Sequence, residues 1–140
     1  MKKKYLLALI LCLAILLAAC SKAEEYKNQV FELAQTHEAA ILEGIEDGAV
    51  LVSLEGVREI ETLEQGFNFY CGGYGNAASS HEFGFYYSAD GQPMGVWGDS
   101  IFADADDLTP DGKGYSGKID GNPYYTEPIS ENLWYYELHF

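Results

Sequence analysis

The chain has 140 residues, with 22 acidic and eight basic side chains and a formal net charge of −14 at neutral pH. So acidic a chain is repelled by nucleic acid and by anionic lipid headgroups, which excludes polyanion recognition and a polybasic membrane contact. Its length suits one domain around one core, and an apolar fraction of 48% is enough to build it.

Lys2-Lys3-Lys4 is followed by fifteen apolar residues, Tyr5 to Ala19. As a helix they span only about 22 Å, short of the roughly 30 Å hydrocarbon core of a bilayer. A basic start and a short apolar run predict a signal peptide over residues 1–19. Leu17-Ala18-Ala19-Cys20 resembles the lipobox of bacterial lipoproteins. That resemblance implies a diacylglyceryl thioether on Cys20, cleavage just before it, and a protein held to the cell membrane on its extracytoplasmic face through that lipid. The competing reading is an ordinary secretory signal that ends near a cysteine. Cleavage before Cys20 leaves five basic side chains against 22 acidic ones, a balance of −17. Cys12 goes with the leader and Cys20 to the lipid, so Cys71 has no intrachain disulfide partner.

Residues 20–25 read as a short polar tether, and 26–140 as one domain. Tyr26, Val30, Leu33, His37, Ile41 and Ile45 recur at spacings of three and four, which predicts an amphipathic helix with Glu24 and Glu25 in its first turn. Gly48 closes it. Ala49 to Ser53 fits a second short helical piece capped by Asp47, or a strand over 49–54.

Beyond residue 66 lie nine of eleven tyrosines, six of seven phenylalanines and both tryptophans. Aromatic runs cut by Gly, Asp and Pro predict antiparallel strands and tight turns. Val57–Thr62 and Phe67–Cys71 form a hairpin around Leu63-Glu64-Gln65-Gly66. His81–Ser88 and Pro93–Trp97 form the next around Asp90-Gly91. Thr109-Pro110-Asp111-Gly112 is a turn, and Tyr115–Ile119 a strand. Tyr124–Ile129 and Leu133–Phe140 close a last hairpin. The expected fold is α+β: an N-terminal amphipathic helix on one face of an antiparallel β-meander of five to seven short strands. Alternation places Trp134, Tyr136, Leu138 and Phe140 toward the core on the last strand, and Phe83, Phe85 and Tyr87 toward it on an earlier one.

The blocks Phe67-Asn68-Phe69-Tyr70-Cys71-Gly72-Gly73-Tyr74-Gly75, Gly84-Phe85-Tyr86-Tyr87-Ser88, Tyr124-Tyr125-Thr126-Glu127 and Trp134-Tyr135-Tyr136-Glu137 resemble, in this order, those of small lipoproteins from Gram-positive gut bacteria. The resemblance covers most of residues 57–140. It implies the anchor and the helix-then-sheet architecture, and it carries no catalytic residues.

No cofactor motif is present. Gly72-Gly73-Tyr74-Gly75 lacks the Lys and the Ser/Thr of a phosphate loop and has no helix behind it. Cys71 is a candidate nucleophile with His81 or His139, but it continues the alternation Phe67, Phe69, Cys71 and so falls on a buried face, where a thiol is inert. His37 lies on the apolar helix stripe and reads as a hydrogen-bonded core-edge residue. No histidine pair has zinc spacing. Asp104, Asp106 and Asp107 are weak calcium candidates without EF-hand order. Glu82, Glu127 and Glu137 lie among aromatics, the composition of a carbohydrate site and equally of any aromatic-rich sheet. Tyr70, Tyr86, Tyr125 and Tyr135 are the surplus tyrosines expected on a solvent face, where they suit recognition; cross-strand packing is the alternative. The expectation is a lipid-anchored, non-catalytic binding domain for an envelope polymer or protein. The alternatives are an envelope hydrolase using Cys71 or a carboxylate pair, and an interaction protein that offers an edge strand.

Overall fold

A computed structural model describes the backbone of residues 2–49, 51, 53–76 and 78–140; before Lys22, side chains are described at Ala8 and Cys12 only. One helix, α1 (Lys2–Glu46), precedes the strands β1 (Glu59–Leu63), β2 (Gly66–Asn76), β3 (Ser79–Ser88), β4 (Gly95–Trp97), β5 (Ser100–Ala103), β6 (Thr109–Asp111), β7 (Gly114–Ile119), β8 (Asn122–Pro128) and β9 (Leu133–His139). A 3₁₀ turn, Ala105–Asp107, precedes β6. Seven strands form an antiparallel sheet in the order β1-β2-β3-β9-β8-β7-β6, and β4 pairs with β5 alone. The fold is α+β, a helix packed on one face of a meander-like antiparallel sheet.

The apolar stripe of α1 behaves as its spacing predicts. Val30, Ala34 and Ile41 are buried, with Tyr26, Phe31, Leu33 and Ile45 packed around them. Gly48, with φ of 65°, supplies the left-handed residue that ends the helix. The start differs from expectation. Residues 20–25 continue α1, so Glu24 and Glu25 sit inside the helix. That stretch contains neither Gly nor Pro, and nothing local stops a helix there. The expected piece over Ala49–Ser53 falls partly outside the described residues, at Val50 and Val52. Ala49, Leu51 and Ser53 are neither helix nor strand, and Leu51 packs with the helix-side core.

Leu63-Glu64-Gln65-Gly66 closes β1 onto β2, and β8 with β9 makes the last predicted hairpin. The expected pairing of His81–Ser88 with Pro93–Trp97 does not form. β3 lies between β2 and β9, which take both of its edges. Pro93 has no N–H to offer a ladder, and the amides of Met94 and Val96 bond instead to the hydroxyls of Tyr86 (2.8 Å) and Tyr124 (3.2 Å). The segment therefore leaves the sheet and lies across its face as the β4–β5 hairpin.

That hairpin makes the domain three-layered, with a core on each side of the sheet. Residues paired across strands share a face. Phe83 pairs with Glu137 and Phe85 with Tyr135; this face carries Phe69, Leu133 and the helix. Gly84 pairs with Tyr136 and Tyr86 with Trp134; this face carries Leu138, Tyr124 and the hairpin residues Met94 and Val96. The two sets expected to face one core thus point in opposite directions. Trp134, Tyr136 and Leu138 are buried under the hairpin, Phe83 and Phe85 under the helix, and Phe140 is exposed.

Candidate functional site

At one end of the hairpin face the sheet opens into a cleft of about 220 Å³. It is built in rungs. Glu59 of β1 stands opposite Tyr70 of β2, and Glu61 opposite Asn68. Tyr70 then pairs with Gly84, and Gly84 with Tyr136. Glu82 of β3 joins the same wall, and Trp97 and Gly98, at the tip of the β4–β5 hairpin, close the side away from the sheet. Two glycines are needed for this shape. A Cβ at Gly84 would meet the Tyr136 ring at 2.7 Å, so only glycine lets that ring lie across β3. Gly98 takes φ of 60° in the two-residue hairpin turn, the left-handed conformation such turns require.

The polar groups are held by one another. Asn68, 1% exposed, donates from Nδ2 to Glu61 Oε2 at 3.0 Å and to the Gly98 carbonyl at 2.9 Å. Two acceptors on Nδ2 fix which end of the amide is oxygen. The Asn68 side chain also acts on the Tyr136 hydroxyl, yet Oδ1 itself accepts no hydrogen bond among the described residues. The indole Nε1 of Trp97 donates to Glu82 Oε2 at 3.2 Å. Burial raises the Glu61 carboxyl above its usual range; the Asn68 bond opposes this, and the charges of Glu59, Asp99 and Glu82 add to it. Burial likewise raises Glu82 against the Trp97 bond. Burial, then the Glu82 charge, raises the Tyr70 hydroxyl. Among the described residues, no ion pair reaches Glu59, Glu61 or Glu82.

Of the four tyrosines expected on a solvent face, Tyr70 alone lines this cleft. Tyr86 is fully buried under the hairpin, its hydroxyl between Met94 N and Thr126 Oγ1. Tyr135 is fully buried under α1 and donates to Glu137 Oε2 at 2.7 Å. Tyr125 is half-buried on that same side and donates to Glu127 Oε2 at 2.6 Å, beside the 2.6 Å bond from Lys27. The expected open tyrosine face does not exist, because each face of the sheet carries a second layer.

The other candidates separate. Cys71 is the extra residue of a bulge between Tyr70 and Gly72 and packs against the helix-side core. Burial pushes its thiol up to about 12, which suppresses the thiolate a nucleophile needs. Glu82 is on the hairpin face, whereas Glu127 and Glu137 are on the helix face. His81 neighbours Glu82 in sequence and so points to the opposite side of the strand, where it meets the His139 ring edge-on with centroids 4.2 Å apart. Burial and His139 lower the His81 value. Burial raises Glu137, but bonds from His139 and Tyr135 and the charges of His139 and Lys27 outweigh it and leave the carboxyl below its usual value. His37 bonds to the Glu55 carbonyl at 2.8 Å and ties the loop to α1. Asp104, Asp106 and Asp107 lie around the 3₁₀ turn, with Asp107 Oδ2 accepting from the Asp104 amide at 3.3 Å. Among the described residues no three His, Cys, Asp or Glu side chains converge as metal ligands. The Cys20 side chain lies outside the described residues.

Glu59, Glu61, Asn68, Trp97 and Tyr136 were not singled out by sequence reasoning. The first three were within reach. Folding the predicted hairpin around residues 63–66 already sets Glu61 against Asn68 and Glu59 against Tyr70. Trp97 and Tyr136 depend on the placement of β4 and β9, which no local pattern gives.

No protein-family model matches the chain, and no curated protein or solved structure is significantly similar to it.

Proposed function

We propose that this protein is a lipid-anchored, extracytoplasmic binding domain whose ligand site is the Glu61–Glu82–Trp97 cleft. The observation that carries the binding reading is the cleft itself: Glu61 and Glu82 face an aromatic-walled cavity, and each is held in place by a neutral donor. The buried Cys71 offers no alternative nucleophile. Lipid attachment at Cys20 rests on the lipobox resemblance and the signal-like leader. With the lipid as anchor, the acidic domain needs no membrane contact of its own.

Two experiments test the reading. Cells expressing the chain are fed labelled palmitate; Cys20→Ser is expected to lose both the label and the membrane association. The full chain, solubilised in detergent, is then incubated with cell-envelope fractions. Wild type is expected to retain an envelope component that Glu61→Gln/Glu82→Gln does not. Absence of any retained component from wild type would overturn the binding reading.

A second reading, an envelope hydrolase, is favoured by one observation: two raised carboxyls share one aromatic-walled cleft. Its mark is time-dependent release of soluble fragments from envelope polymer, lost in each single Glu→Gln variant.

A further inference from the structure

The binding reading leaves the ligand's chemistry open, and the lining of the cleft narrows it. Glu59, Glu61 and Glu82 present acceptors. Asn68 is buried behind them, its Oδ1 out of reach of solvent, and serves to hold Glu61 and the hairpin tip. Asn68 Nδ2 and Trp97 Nε1 are already spent on groups of the cleft itself, which leaves the Tyr70 and Tyr136 hydroxyls as its neutral donors. Carboxylate charge held in a partly buried site without an ion pair is costly. Arg58, the nearest basic side chain in sequence, has its guanidinium against Gly72; its charge reaches the Tyr70 hydroxyl, but it forms no ion pair with the glutamates among the described residues. The site therefore calls for positive charge that brings hydrogen-bond donors to the carboxylates. A bare metal ion does not answer, since no ligand set converges among the described residues. The walls are aromatic: Tyr70, Tyr136 and Trp97, with Trp97 continued outward by Phe140 at 5.3 Å and by Phe102 at 6.0 Å between ring centroids. Phe102 and Phe140 are the exposed large apolar side chains of the described residues. Aromatic faces attract cations and also cover an alkyl stem. The volume, about 220 Å³, is below the roughly 300–1,000 Å³ of sites for drug-sized ligands, and suits a single side-chain-sized group.

We propose that the Glu61–Glu82–Trp97 cleft receives a primary alkylammonium group, with its N–H donors on Glu61 and Glu82 and its alkyl stem against Trp97, Tyr70 and Tyr136. This rests on the binding reading and deepens it. A lysine side chain of a peptide and a small free amine share this chemistry.

The test uses the full chain in detergent and follows the indole N–H resonance of Trp97, which reports the bond to Glu82. The probes are n-butylammonium, tetramethylammonium, 1-butanol and an end-capped Gly-Lys-Gly peptide. n-Butylammonium is expected to shift the Trp97 signal along a saturating curve. Tetramethylammonium, which has charge but no donor, is expected to need about ten-fold higher concentration, and 1-butanol to leave the signal in place. Glu61→Gln and Glu82→Gln, both isosteric, each weaken n-butylammonium by about ten-fold, whereas Glu131→Gln, an exposed acid in the β8–β9 turn, does not. Tighter binding of the peptide assigns the side-chain source; tighter binding of n-butylammonium assigns the free amine. Equal response to tetramethylammonium, or equal weakening by Glu131→Gln, overturns the proposal in favour of diffuse charge attraction. If wild type retains an envelope component but no amine shifts Trp97, the ligand class fails and the binding reading stands. If neither occurs, both fail.

Discussion

The two faces of the sheet are held to their covering layers by different physics. On the helix side the contacts are apolar and stacked: Phe69 on Phe85 with centroids 4.6 Å apart, and Tyr26 on Phe83 at 5.4 Å. On the hairpin side the sheet offers hydroxyls. Tyr86 takes the Met94 amide, and Tyr124 accepts from Val96 N and donates to Met94 O at 2.9 Å. A long amphipathic helix brings enough apolar surface to be held chiefly by packing, with the 2.6 Å Lys27–Glu127 bond beside it. Strands β4 and β5, of three and four residues, do not. Their backbone groups must be satisfied on a buried surface, and tyrosine supplies packing area and a polar end together. The difference also explains why the cleft is on the hairpin side. A two-stranded layer covers part of that face, and at its tip the sheet's own carboxylates remain in reach of solvent.

The largest effect that follows is from Phe85→Ala. Phe85 is fully buried, and its loss should lower global stability by about 3–5 kcal/mol, read as the urea midpoint of the full chain. Tyr86→Phe keeps the ring and removes the hydroxyl, leaving the Met94 amide unpaired, and should cost about 1–3 kcal/mol. If Tyr86→Phe costs more than Phe85→Ala, the contrast between an apolar and a hydrogen-bonded face is wrong. Amide hydrogen exchange sharpens it further: Tyr86→Phe should speed exchange at Met94 and Val96 and leave α1 unchanged.

The smallest effect is a difference in the sign of pH dependence. Glu137 on the helix side has a depressed folded-state value, so its stabilisation is present above the unfolded value of about 4.3 and is lost as pH falls through the lower folded value. Glu61 and Glu82 have raised values, so the folded state binds their protons more tightly. Their effect is a loss of stability as pH rises from the unfolded value through the raised folded one. Glu137→Gln should therefore weaken the protein at neutral pH and flatten its acid limb. Glu82→Gln should strengthen it at neutral pH and remove part of the decline above about pH 4. Urea midpoints measured from about pH 3 to 7 separate the two; the same sign for both variants would contradict the assignment.

Much of the fold was legible where signals were local. The stripe from Tyr26 to Ile45, the turn at residues 63–66 and the hairpin ending in Leu133–His139 all follow from spacing and turn residues. The pairing of β3 with β9 was not, because about fifty residues separate partners such as Phe85 and Tyr135 and no short-range pattern selects between edges. The two-sided core was hidden by tyrosine itself. In Phe85-Tyr86-Tyr87 or Trp134-Tyr135-Tyr136 each position is apolar enough to be buried, so alternation no longer distinguishes an inner from an outer face. The site was half legible for the same reason: two of its acids lie on the β1–β2 hairpin, while its aromatic roof arrives from β4.

The place of β9 in the sheet has a consequence for when the molecule can exist. It is the last strand in chain order, yet it lies between β3 and β8. Until synthesis reaches residue 139, the strands β1–β3 and β6–β8 are two separate meanders, each with an open edge. Sheet closure must then wait for the final segment and proceed by long-range pairing, the slow route for a chain to fold. Until β9 pairs, each half-sheet exposes a strand edge that could pair with another chain, and β9 covers both edges at once.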